Sequence, residues 1–277
     1  MRNRCADRVN QIEDSITLKV AALAGKLKRE GQDVIDFGAG EPDFDTPDAI
    51  KEAAIAAIHS GKTKYTVATG IVELKEAICQ KLLTDNQLQY GPQNIVVSAG
   101  AKHSIYNVMQ ALVNPGDEVL VPAPYWVSYP DQITLAGGTP KIIATTEKTR
   151  FKITPEQLAS AIGPKTKGVI INSPSNPTGM IYTPDELKAL GQIIHRTGIW
   201  VLSDEIYEKL SYGAHQAVSI VTVCPEIYDQ TIVINGMSKA YAMTDWRIGY
   251  LTTAPNIIKT IAKLQNHSTS NPTSITQ

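Results

Sequence analysis

The stretch Gly168-Val169-Ile170-Ile171-Asn172-Ser173-Pro174-Ser175-Asn176-Pro177-Thr178-Gly179 begins apolar on both faces and breaks off into a loop stiffened by two prolines. A strand with no polar face belongs inside a sheet covered by helices on both sides. Similar Ile/Val runs recur on either side of it and predict strands at 34–37, 95–98, 118–122, 141–144, 168–172, 199–203, 231–234 and 247–253. Helical patterns fill the intervals, at 47–59, 72–83, 102–113, 155–162, 184–196 and 256–265. This alternation predicts an α/β fold with a largely parallel sheet. Ligands of such folds sit beyond the carboxyl ends of the strands, so the residues just after each strand are the first candidates for a site.

The first 45 or so residues differ, with one amphipathic helix at 15–30 and then the turn-rich Gly38-Ala39-Gly40-Glu41-Pro42-Asp43. A boundary is expected there, with residues 46–277 forming the large α/β domain. At 277 residues the chain is long enough for one large domain or two modest ones. Hydrophobic residues at 43% and charged residues at 19% exclude a disordered chain. Lys+Arg 26 against Asp+Glu 27 leaves a net charge of −1, so there is no basic surplus for nucleic acid or a membrane surface. Cys5, Cys79 and Cys224 are scattered, without metal-ligand spacing, and read as reduced thiols. No run approaches the ~18 apolar residues of a membrane helix, and the charged N-terminus is unlike a signal peptide. A cytoplasmic location is expected.

Two nucleotide-binding patterns fail on context. Ala56-Ala57-Ile58-His59-Ser60-Gly61-Lys62-Thr63 fits a permissive phosphate loop, and Trp200-Val201-Leu202-Ser203-Asp204-Glu205 resembles its magnesium-binding strand. A phosphate loop must open a helix, whereas Gly61 follows one and reads as a helix-ending glycine. Gly38-Ala39-Gly40 lacks the third glycine and the helix of a dinucleotide fold.

Four strand ends carry the chemistry. Ser98-Ala99-Gly100-Ala101-Lys102-His103 turns through small residues into a helix, a geometry that exposes amides to a phosphate. In the second, Asn176 is held in the rigid loop after 168–172 as a side-chain donor. In Ser203-Asp204-Glu205-Ile206-Tyr207, Asp204 is desolvated unless a cation faces it, or else it caps a helix. The fourth runs from Asn235-Gly236-Met237-Ser238-Lys239 to Arg247, a lysine just past a core strand and an arginine eight residues on, placed for a Schiff base.

In this order and spacing the four motifs resemble the fold-type I pyridoxal-phosphate enzymes, specifically class I aminotransferases of the aspartate/prephenate aminotransferase group. The similarity extends to Ala39-Gly40-Glu41-Pro42-Asp43-Phe44, Lys64-Tyr65-Thr66 and Ala123-Pro124-Tyr125-Trp126, and so covers essentially the whole chain. The resemblance implies the pyridoxal-phosphate-dependent transferase fold, a mostly parallel sheet of the seven-stranded type flanked by helices. It implies pyridoxal 5'-phosphate as cofactor, an amino acid and a 2-oxo acid as substrates, and a homodimer. Lys239 matches the lysine that carries the cofactor and moves the proton, and Asp204 the partner of the pyridine nitrogen. Asn176 and Tyr207 match donors to the ring oxygen, and Trp126 the aromatic on the ring face. Gly100, Ala101, Ser238 and Arg247 match the phosphate site, which Tyr65 reaches from the neighbouring subunit. Gly40 matches a backbone contact to substrate, and Lys102 with Ser15 and Thr17 the positions that accept the distal carboxylate of aspartate or glutamate. Another pyridoxal-phosphate reaction, such as a β-lyase, is the alternative within the family.

Two departures stand out. Asp245 occupies a position where the family usually has glycine, two residues from Arg247. The family also continues for roughly 100 residues beyond the match to Gln277, about one small domain. That continuation includes the arginine for the substrate α-carboxylate. The expectation is a truncated chain, its small domain incomplete, that holds the cofactor but binds amino acids weakly, or a cofactor-binding fragment without catalysis.

Overall fold

The computed structural model describes residues 5–38, 40–213 and 216–277. In chain order the helices are α1 (Ile16–Arg29), α2 (Asp48–His59), α3 (Val72–Asn86), α4 (Ala101–Leu112), α5 (Ser128–Leu135), α6 (Pro155–Ala161), α7 (Pro184–Thr197), α8 (Ile220–Val223) and α9 (Pro255–Asn266). The strands are β1 (Ile95–Ser98), β2 (Glu118–Pro122), β3 (Thr139–Ile143), β4 (Thr166–Asn172), β5 (Trp200–Asp204), β6 (Thr231–Gly236) and β7 (Gly249–Thr252). They form one seven-stranded sheet in the order β1-β7-β6-β5-β4-β2-β3. All neighbours are parallel except β7, which runs antiparallel to both β1 and β6.

Strand alternation builds two cores. Val97, Leu120, Val169, Ile171, Val201 and Val233 face one side of the sheet, where Ile78, Leu187, Leu190 and Ile220 cover them. Val96, Val121, Ile170, Leu202 and Ile234 face the other side, under Ile105, Met109, Ile133 and Ile261. Each such aliphatic side chain, removed from water, contributes roughly 1.5–3 kcal/mol. The helix ends follow local chemistry: Thr183 and Glu186 form a reciprocal cap around Pro184 at the start of α7, and Gly198 at φ 72° ends it. Gly61, at φ +75°, follows the end of α2 with its amide on Ile58 O (3.0 Å), so the phosphate-loop pattern is a helix terminus.

Two readings are corrected. Residues 34–37 join no strand; Ile35 and Phe37 are 80% and 91% exposed, so nothing covers the apolar side that a strand would need. Helix α5 was not predicted, because Ser128–Leu135 is short and begins with a proline-containing, aromatic turn. The remaining predicted elements shift by one to three residues at their ends, the usual latitude of helix and strand termini.

One buried side chain knits the sheet edge to the helices. Gln265 of α9 is 0% exposed. Its Oε1 accepts from Ser98 Oγ and Asn107 Nδ2, both at 3.0 Å, and its Nε2 donates to Val97 O at 2.8 Å and to Ala68 O. Replacing Gln265 by Leu removes all four bonds and strands buried polar partners, each costing about 1–3 kcal/mol. Gln265→Leu is therefore expected to lower unfolding stability by roughly 2–4 kcal/mol in a urea titration. A change within about 0.5 kcal/mol, the range of an inconsequential surface substitution, contradicts this role.

Candidate active site

Strands β4, β5 and β6 are parallel neighbours, so their carboxyl ends lie along one edge of the sheet. Because β7 is antiparallel, its beginning joins that edge: Gly249 is opposite both Ser98 at the end of β1 and Gly236 at the end of β6. The β6–β7 connection, which carries Ser238, Lys239 and Arg247, therefore never leaves the ligand side of the sheet. Close approach here demands glycine. A Cβ on Gly249 has no room against Gly100 and Ala101, and one on Gly100, at φ +84°, has none against the Arg247 guanidinium.

Arg247 donates from Nη1 to Thr244 O at 2.7 Å and from Nη2 to Ala99 O at 3.2 Å, which holds the guanidinium at the head of α4. The amides of Ala101 and Lys102 begin that helix, where no intrahelical acceptor exists and the dipole is positive. Lys102 lies with Nζ 5.0 Å from the Trp126 ring centroid, its pKa held below the usual lysine value by burial and by Arg247. Lys239 is lowered too, by burial and Arg247, with Glu41 opposing. None of Lys102, Lys239 and Arg247 forms an ion pair among the described residues. Arg247, at this helix N-terminus, repels both lysines, and a multiply charged anion is the partner that relieves it.

Across from them, Asp204 ends β5 at 4% exposure. Burial pushes its carboxyl up to about 6, opposed by hydrogen bonds from Tyr129 OH at 2.6 Å and Ile206 N at 3.2 Å. Tyr129 packs edge-on to Trp126, with ring centroids 5.3 Å apart. Asn176 is oriented by its own amide, which donates to Asn172 Oδ1 at 2.7 Å. Its Nδ2 donates to Tyr207 OH at 3.3 Å. Burial, followed by the Asp204 charge, raises the Tyr207 pKa, and the bond from Asn176 opposes that rise. Lys239 Nζ lies 5.8 Å from the Tyr207 ring centroid and donates to Gly40 O. Ser238 is buried beside it, at 7% exposure.

The structure thus gathers Gly40, Gly100, Ala101, Lys102, Trp126, Asn176, Asp204, Tyr207, Ser238, Lys239 and Arg247 at one sheet edge. Tyr65 is 92% exposed on the loop after α2. Ser15 accepts from Leu18 N at 3.4 Å as the cap of α1, and neither it nor Thr17 hydrogen-bonds to the gathered residues. Asp245 is exposed on a 3-10 turn and makes no ion pair among the described residues, so its charge is not spent on Arg247. Sequence reasoning missed Tyr129; its signal was the aromatic run Tyr125-Trp126-Val127-Ser128-Tyr129, read only as far as Trp126. It also missed Thr46, whose hydroxyl donates to Ala242 O at 2.5 Å and accepts from Trp246 Nε1 at 3.0 Å, tying down the β6–β7 connection. No helix among the described residues is long and apolar enough to cross a membrane.

Comparisons with known proteins bear on the same residues. Residues 32–277 match the family described as "Aminotransferase class I and II". The chain is 54% identical over 274 residues to an aspartate aminotransferase of Geobacillus stearothermophilus, a match covering 99% of this chain and 70% of that protein. It is 50% identical over 273 residues to an aspartate/prephenate aminotransferase of Cereibacter sphaeroides, covering 98% and 68%. Among solved structures, the aspartate aminotransferase of Rhizobium meliloti superposes with a TM-score of 0.95 at 44% identity, over 99% of this chain and 69% of that one. That of Thermus thermophilus with maleate gives 0.95 at 42%, over 100% and 71%. The expected fold and family are both met, and the chain belongs to the class I and II aminotransferases, which depend on pyridoxal phosphate.

Proposed function

We propose that the chain transfers the amino group of an acidic amino acid, aspartate or glutamate, to a 2-oxo acid, with pyridoxal phosphate held at the carboxyl edge of the sheet. One observation carries this reading. Arg247 is held at the head of α4, Lys102 stands in the first turn of that helix and Lys239 lies close enough to Arg247 to feel its charge, none of them in an ion pair among the described residues, and Asp204 ends β5 at the same sheet edge as a buried carboxyl. The donor set fits the cofactor: at the turn made by Gly100, the uncommitted amides of Ala101 and Lys102, with Ser238 and Arg247, for a phosphate, and a carboxylate for a ring nitrogen. When bound, pyridoxal phosphate supplies an aldehyde for amino groups and an electron-withdrawing ring.

The residues then divide the work. Asp204, ionised against a cationic ring nitrogen, keeps that nitrogen protonated, and Tyr129 donates to the carboxylate and fixes its direction. Asn176 and Tyr207 would donate to the ring oxygen, and Trp126 would cover the ring face. Lys239, with its pKa lowered by burial, gives up its proton more readily than a surface lysine. Its Nζ would hold the cofactor's aldehyde carbon, and once freed would act as the base and acid that moves a proton at the substrate's α-carbon. Gly40, Trp126 and Asn176 line the substrate side, and Lys102 with Ser15 and Thr17 takes the distal carboxylate. Tyr65, being exposed, is available to the phosphate of a neighbouring subunit in a homodimer. In this reading residues 46–277 are the cofactor domain, residues 1–45 are an arm with part of a small domain, and the protein works in the cytoplasm.

Mixing the cofactor-loaded chain with aspartate should convert the bound absorbance to that of the amine form of the cofactor, and Lys239→Ala should slow this by on the order of 10³-fold or more. A Lys239→Ala variant that keeps the wild-type rate contradicts the assignment. A second outcome concerns pH. The Asp204 carboxyl titrates at about 6 in the fold against 3.8 in the ordinary case. A raised folded pKa means stability that is full below about 4 and lost as pH rises through about 6. The cofactor-free chain should therefore melt at lower temperature at pH 7.5 than at pH 5, and Asp204→Asn should reduce that drop, removing on the order of 1–1.5 kcal/mol of pH dependence between those two pH values. Equal drops in the two proteins contradict the burial of an ionisable Asp204.

A further inference from the structure

Behind Asp204 lies a second buried acid for which the chemistry above has no use. Glu205 is 3% exposed and points to the opposite face of the sheet from Asp204. The same carboxylate oxygen, Oε1, accepts from Ser203 Oγ at 2.8 Å and from Ser219 Oγ at 2.7 Å. The Glu205 amide donates to Ile234 O at 2.9 Å, fastening the residue to β6. Burying a carboxyl is costly compared with burying an apolar side chain of the same size. What the carboxyl provides that an apolar group lacks is a directed link to Ser219, the residue that opens α8.

That link closes a loop. Between Glu205 and Ser219 the chain makes an excursion that begins with Ile206 and Tyr207. Further bonds hold the same segment: Ser211 Oγ donates to Glu208 O at 3.0 Å and accepts from Ala217 N at 3.3 Å. Glu208 receives Lys81 Nζ on one oxygen and Asn86 Nδ2 at 2.7 Å on the other, and Lys209 pairs with Asp85 at 2.7 Å, so the segment is pinned to α3. Tyr207 of this tied segment turns to the site, where Asn176 Nδ2 meets its hydroxyl.

We propose that Glu205 is a positioning residue: by closing the base of the 206–218 loop onto Ser219, it fixes the direction in which Tyr207 leaves β5 and sets the Tyr207 hydroxyl opposite Asn176. The inference rests on the reading of Tyr207 as a donor to the cofactor's ring oxygen. A donor to an oxygen anion favours the deprotonated form, so misplacing Tyr207 lets the bound chromophore keep its proton to higher pH.

The test uses the full chain loaded with pyridoxal phosphate and reads the pH midpoint of the bound cofactor's absorbance change, together with the cofactor's dissociation constant. Tyr207→Phe is expected to raise the midpoint by about 0.5–1 unit, the worth of one hydrogen bond. Glu205→Ala should do the same and weaken cofactor binding about three- to tenfold, as loss of one hydrogen bond does. Glu205→Gln keeps an acceptor for both hydroxyls and should restore the wild-type midpoint. Ser219→Ala removes only the closing bond and should shift the midpoint in the same direction by a smaller amount, which keeps the question answerable if Glu205→Ala does not fold. Wild-type midpoints in Ser219→Ala and Glu205→Ala, beside a shifted Tyr207→Phe, overturn the positioning role. A Tyr207→Phe midpoint equal to wild type overturns the reading of Tyr207 itself, and the proposal falls with it.

Discussion

The reversal of one strand organises the site. With β7 antiparallel between β1 and β6, the connection from Gly236 to Gly249 begins and ends at the same edge of the sheet, and Lys239 and Arg247 are kept beside the strand ends. A parallel β7 would carry Arg247 to the far edge through a crossover. The close backbone approach that results leaves Gly249 no space for a side chain, and the Arg247 guanidinium fills the space beside Gly100. It sets a guanidinium against the positive end of α4, an arrangement that is electrostatically unfavourable until an anion lies between them. The phosphate reading follows from that constraint, since a phosphate neutralises the cations and accepts from the free amides together.

The opposite pole of the site depends on burial. Asp204 and Glu205 follow one another at the end of β5, and burial pushes their carboxyls up to about 6 and about 7. Alternation sends one to each face of the sheet, so they meet different partners. Asp204 finds Tyr129 and the ligand space, whereas Glu205 finds two serine hydroxyls and the base of a loop. One strand end thus holds a charge for chemistry and an anchor for geometry.

Much of this was legible in the residues. Runs such as 168–171, apolar on both faces, located the central strands because only a doubly covered sheet accommodates them. Asn176, Asp204, Lys239 and Arg247 were legible because polar groups placed directly after buried strands need a reason to be there. Residues 34–37 misled because β-branched composition reports a local preference, while a strand also needs a neighbour to pair with. Tyr129 stayed hidden because its role comes from a contact with Asp204, 75 residues away, and an aromatic in a short helix reads as core. Ser15, Thr17 and Tyr65 were legible only through family resemblance, since nothing in their local sequence distinguishes them from caps or surface residues.

The most direct test of the account is where pyridoxal phosphate becomes attached. The chain incubated with the cofactor, reduced with borohydride and digested should show by mass spectrometry a single reduced adduct on the peptide carrying Lys239. Arg247→Ala should weaken its formation at limiting cofactor, because the phosphate loses its bidentate partner. An adduct spread over surface lysines, or absent from Lys239, would contradict the account.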